Sequence, residues 1–141
     1  MKRNHLLFAI ITMLISSTAF TQTNQSNEKD NLLFLLRQKE HINQALKTID
    51  YLADKSDTKL NPGKVVIIVC GEAVTTLTTN DAQEWVKRIN KHPGVSIMAC
   101  GLSLSKFNKT KSDLVKGIEY TENGFVKAFE LQKQGYLSVE L

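Results

Sequence analysis

Two apolar runs, Val65-Val66-Ile67-Ile68-Val69-Cys70-Gly71 and Val95-Ser96-Ile97-Met98-Ala99-Cys100-Gly101, start thirty residues apart and both end in Cys-Gly. Runs rich in Val and Ile, without polar alternation, suit strands buried on both faces of a parallel sheet. Between them, Ala82, Trp85, Val86 and Ile89 keep the i, i+3, i+4, i+7 spacing of a helix. N-cap candidates Thr78-Thr79-Asn80-Asp81 precede that helix, and His92-Pro93-Gly94 stops it. The three pieces make a βαβ unit. In open α/β sheets, chemistry gathers beyond the carboxyl ends of the strands, which is where both cysteines fall.

The same alternation extends in both directions. Asn31 to Leu36 reads as a first strand, followed by Ile42, Ala45, Leu46, Ile49, Leu52 and Ala53 at helical spacing, with Lys47 and Asp50 on the opposite face. The Asn61-Pro62-Gly63 turn launches the strand at Val65. After Cys100 come a polar, Lys-rich loop, one helical turn over Ser112 to Val115 and a short strand over Ile118 to Thr121. A last helix over Phe125 to Gln134 is closed by Gly135, and Tyr136 to Val139 forms a final strand. Trp85, Phe125 and Phe129 occupy apolar helix faces and are expected in the core. Five strands alternating with helices predict a three-layer α/β/α fold with a mainly parallel five-stranded sheet, one domain over residues 31–141. Strand order does not follow from this pattern.

The N-terminus has a different composition. Lys2 and Arg3 precede the apolar run Leu6 to Ile15, and small residues Ser16, Ser17, Thr18 and Ala19 follow, the pattern of a secretory signal peptide over residues 1–21. The run is shorter than the roughly 20 apolar residues a bilayer span takes, so no stable membrane insertion is expected after cleavage. Residues 22–30 read as a polar, disordered linker. Cleavage after Thr21 leaves 16 basic residues against 14 acidic ones, a net charge of +2, with no basic stripe to bind nucleic acid. The expected destination is the periplasm or the exterior, where oxidising conditions favour disulfides.

Cys100 sits where a strand gives way to Gly101-Leu102-Ser103-Leu104-Ser105. It is the candidate nucleophile. Loop amides, Ser103, and Lys106 or Lys109 are placed to stabilise its thiolate, the reactive form. Buried cysteine also serves as a small hydrophobe. Cys70 reads as a second thiol, a disulfide mate of Cys100, or packing; a disulfide requires neighbouring strands in suitable register. His5, His41 and His92 share no spacing with other ligand types, so no metal is expected. Without GxGxxG or GxxxxGK[ST], nucleotide cofactors have no support, and no other cofactor is implied.

Taken in order, Val65 through Val74, Ile97-Met98-Ala99-Cys100-Gly101-Leu102-Ser103-Leu104, Gly117-Ile118-Glu119-Tyr120, Gly124-Phe125-Val126 and Leu131-Gln132-Lys133-Gln134-Gly135-Tyr136 resemble the DsrE family of sulfur-relay proteins, in its exported branch. The likeness runs from about Asn31 to the C-terminus. It implies a small α/β domain that forms homo-oligomers and carries sulfur as a persulfide on Cys100, with Gly101 and Ser103 shaping the loop and a sulfur donor or acceptor protein as partner. One position departs: many relatives carry Asn where this chain has Leu102, which predicts a missing side-chain donor beside the thiol. The competing expectation is a non-catalytic module of the same fold that binds a small ligand or protein, its cysteines structural or disulfide-linked.

Overall fold

The computed structural model describes residues 29–54 and 58–141, and the expected signal peptide and most of the linker lie outside them. Strands β1 (Asp30–Leu36), β2 (Pro62–Val69), β3 (Val95–Cys100), β4 (Glu119–Thr121) and β5 (Leu137–Glu140) form one sheet in the order β4-β3-β2-β1-β5. Every pairing is parallel, so the sheet is wholly rather than mainly parallel. The first strand begins at Asp30, inside the expected linker. Among the described residues, no helix is long and apolar enough to cross a membrane.

Period-two alternation explains the two-sided burial. Leu32, Phe34 and Leu36 of β1, Val65, Ile67 and Val69 of β2, and Ile97 and Ala99 of β3 pack to one side. There they meet Ile42, Ala45, Leu46 and Ile49 of α1 (Lys39–Asp54), Ala82, Trp85 and Ile89 of α2 (Asp81–Ile89) and Leu104 of α3 (Gly101–Lys106). The intervening Leu33, Leu35, Ile68, Met98, Cys70 and Cys100 point to the other side, against Ala128 and Leu131 of α4 (Gly124–Lys133). Polar contacts tie α1 to α2 and its following turn: Trp85 Nε1 donates to Asn43 Oδ1 (3.1 Å), and Asp50 accepts from Arg88 Nε (3.0 Å) and meets His92 Nε2 (2.9 Å).

Helix α4 has a layer to itself because of the topology. The chain leaves β4 at one edge of the sheet and must reach β5 at the other, so its connecting helix crosses the face and touches β3, β2 and β1. The C-terminus of α4 is a Schellman motif: Tyr136 N–H donates to Leu131 O, Gly135 N–H donates to Gln132 O, and Gly135 takes the left-handed conformation at φ +88°.

Three local expectations need correction. The loop after Cys100 is helix α3, six residues whose brevity hides any periodicity. Residues Gly71–Thr78 form an unforeseen 3₁₀ segment. In it, Thr75, Thr76 and Thr78 hydroxyls each donate to the carbonyl three residues back, a local pairing that competes with an ordinary helix. Phe125 and Phe129 are not core, the latter being 68% exposed. Gly124, Ala128 and Leu131 take the i, i+4, i+7 face toward the sheet. Residues 125 and 129 are therefore turned about 100° away from it.

Candidate functional site

The register that pairs Val69 with Ala99 places the next residues, Cys70 and Cys100, side by side at the carboxyl ends of two adjacent strands. Both thiols are free and each residue is 1% exposed. Alternation sends both side chains to the α4 face, and the N-terminus of α4 sits on them. A Cβ added at Gly124 would lie 2.6 Å from Cys70 Sγ and 3.1 Å from Cys100 Cβ, so only glycine permits this approach.

A helix begins with amide donors that lack intrahelical partners. In α4, Asn123 is the N-cap, and its side-chain oxygen accepts from the amides of Phe125 (3.0 Å) and Val126 (3.3 Å). The remaining first-turn amide, Gly124 N–H, donates to Cys100 Sγ at 3.2 Å. The sulfur thus completes the cap, and the positive end of the helix dipole faces it.

Ser103, on the first turn of α3, approaches the same sulfur. Its Oγ accepts from Gly71 N–H (2.9 Å), which orients the hydroxyl and links the ends of β2 and β3. Burial pulls the Cys100 thiol upward, but the Gly124 amide, the Ser103 hydroxyl and amide, and the Cys70 thiol outweigh it. Cys100 is held below its ordinary value. Burial pushes Cys70 up to about 12, and the adjoining Cys100 adds to the rise. A thiolate-prone sulfur therefore stands beside one that stays protonated.

The structure brings together Cys100, Ser103 and Cys70, a proximity the sequence left open for Cys70, and places Gly101 one step behind them. Gly101 has no unusual backbone angle; its lack of a side chain admits the Tyr120 ring, whose Cζ would be 2.8 Å from an added Cβ. The lysines are elsewhere: Lys106 Nζ lies 5.9 Å from the centre of the Phe107 ring, and Lys109 acts on Asp113. Leu102 is 59% exposed, so its departure from Asn takes no donor away from the buried sulfur. Sequence reasoning missed Asn123 and Gly124 as site residues, although an Asn ahead of a helical run is an N-cap signal. A cleft of about 340 Å³ beside the strand ends is lined by Arg37, Lys39, Glu72 and Thr75, among others, and neither sulfur lines it.

Among the described residues, no group of three or more His, Cys, Asp and Glu side chains is arranged to hold a metal ion.

No family model matches this chain, and no curated protein does. Among solved structures it is similar to MTH1491 from Methanobacterium thermoautotrophicum, a protein of unknown function. The two are 15% identical at a TM-score of 0.62, over 81% of this chain and 100% of that one. It is also similar to BT1422 from Bacteroides thetaiotaomicron, a conserved protein of unknown function, with 17% identity and a TM-score of 0.57 over 79% of this chain and 95% of that one. At such identities the likeness is one of architecture, and it identifies the chain as a three-layer α/β/α protein built on a parallel five-stranded sheet.

Proposed function

We propose that this protein is an exported, DsrE-like sulfur carrier that takes sulfur onto Cys100 as a persulfide. The observation that carries the proposal is the Gly124 amide directed at Cys100 Sγ, with Ser103 adding to it, so that the thiolate gains hydrogen-bond stabilisation at a buried position. In the transfer, Cys100 thiolate attacks the outer sulfur of a donor persulfide. The donor S–S bond breaks, its electron pair leaves on the donor thiolate, and the outer sulfur remains bound to Cys100. Burial then shields the adduct from adventitious thiols. Homo-oligomerisation and a donor or acceptor protein belong to the same proposal.

The test is loading. Reduced protein is treated with glutathione persulfide, and its intact mass and peptide map are recorded. One added sulfur atom on Cys100, or one sulfide released per chain, neither seen with Cys100→Ser, is the expected result; an adduct that survives in Cys100→Ser, or neither adduct nor sulfide from the wild type, overturns the proposal. A second reading, a non-catalytic binding module, is favoured by the 1% exposure of Cys100. Rapid stoichiometric labelling of native Cys100 by a thiol reagent would count against it.

A further inference from the structure

Carrying sulfur on Cys100 leaves Cys70 without a task, yet Cys70 is the side chain best placed to end the carriage. Its position opposite Cys100 follows from the β2–β3 register, and both sulfurs belong to one cluster beneath α4. Neighbouring strands stand about 4.8 Å apart, inside the window of about 4.4–6.8 Å between Cα atoms that a disulfide accepts. Gly124, lacking a side chain, lets the helix cover both sulfurs without separating them.

We infer that Cys70 is a resolving thiol that discharges the sulfur held on Cys100 as sulfide, closing a reversible Cys70–Cys100 disulfide. The inference rests on the carrier function proposed above. In the step, the Cys70 proton passes to the outer sulfur of the Cys100 persulfide. Cys70 Sγ then bonds to Cys100 Sγ, the bond from Cys100 Sγ to the outer sulfur breaks, and its electron pair leaves as hydrosulfide. Two cysteines are oxidised to cystine and one sulfane sulfur is reduced to sulfide, so atoms and electrons balance. A small dithiol or a thioredoxin-type reductant then reopens the disulfide.

The inference is tested on two fronts. Wild-type protein loaded with glutathione persulfide, then freed of thiols under anaerobic conditions, is expected to release one sulfide per loaded chain. Its mass should fall to two hydrogens below the dithiol form, with the Cys70 and Cys100 peptides crosslinked. Cys70→Ala, with Cys70→Val as a bulkier alternative should alanine loosen the core, is expected to keep its added sulfur and release none. Retention by the wild type, or release at the wild-type rate by both variants, overturns the inference. Independently of loading, one equivalent of dithiodipyridine should convert the unloaded protein to the intramolecular disulfide with release of two thiopyridones. A stable mixed disulfide on Cys100 with Cys70 still free overturns the inference while leaving the carrier proposal intact. Disulfide closure in a protein that never accepts sulfur overturns the carrier proposal, and the discharge step with it.

Discussion

Cys70-Gly71 and Cys100-Gly101 are the same dipeptide at equivalent places on neighbouring strands, and the fold treats them differently. At Gly71 the chain turns through φ +60°, where a side chain is strained and would also meet Arg37 O at 3.3 Å. At Gly101 the backbone is ordinary, and the missing side chain makes room for Tyr120. The sulfurs diverge as well. Cys100 receives the Gly124 amide and the influence of Ser103, whereas Cys70 sits in the same apolar cluster with its thiol pushed up to about 12. Chemical identity in a strand-end motif therefore says little about reactivity; the donors that other elements aim at each sulfur decide it.

Removing one cysteine at a time tests this difference most directly. Cys100→Ser is expected to lose persulfide loading altogether while Cys70→Ala still loads, read by intact mass; equal loading of both variants would erase the distinction between the two sites. Glycine replacements come next. Gly101→Ala is expected to cost about 1–3 kcal/mol through overpacking, partly relieved by Tyr120→Phe. Gly71→Ala should cost about 1–2 kcal/mol through backbone strain, with no relief from Tyr120→Phe. Denaturant unfolding of the four variants separates the two causes.

Alkaline pH distinguishes the sulfurs by a different route. Because the folded Cys70 value is raised from about 9.0 to about 12, its contribution is complete below pH 9 and is lost as pH rises between those values. The loss should reach on the order of 2 kcal/mol midway through that window. Thermal melts of Cys70→Ala should lack this alkaline decline. Cys100, whose folded value is lowered, has the opposite sign: its contribution is present above its ordinary value and lost as pH falls through the folded one.

The smallest expected effect is that of Ser103→Ala. It leaves the Gly71 amide without its acceptor, costing about 1 kcal/mol. It should also raise the pH at which Cys100 is alkylated, toward that of Cys70. An unchanged alkylation profile would show that the Gly124 and residue-103 amides and the Cys70 thiol set the thiolate without the hydroxyl.

Much of the fold was legible because burial leaves a periodic trace. Ile42, Ala45, Leu46 and Ile49 of α1 and Ala82, Trp85 and Ile89 of α2 are buried as their spacing predicts, and the Val95 strand lies where its apolar run places it, whereas β2 starts earlier, at Pro62, and takes in two residues of the expected turn. Elements short of two turns left no such trace, which is why α3 read as a loop. The aromatic pair Phe125 and Phe129 misled for another reason. Two apolar residues at i, i+4 define a stripe, but the stripe that meets the sheet is the one with Gly124 and Ala128, small enough for close approach.

At the site, two cysteines ending two parallel strands could be read from the residues alone, because strand length and period-two alternation are local properties of Val, Ile and Cys in a row. A helix from about Phe125 was legible too, but not its Asn123 cap. That those strands are neighbours in register, that both sulfurs face the same layer, and that the α4 N-terminus comes down on them emerges only in the assembled fold. Strand order is the cause. With β4 and β5 at opposite edges, the helix between them must cross the face where the cysteines lie, and no local preference records that path.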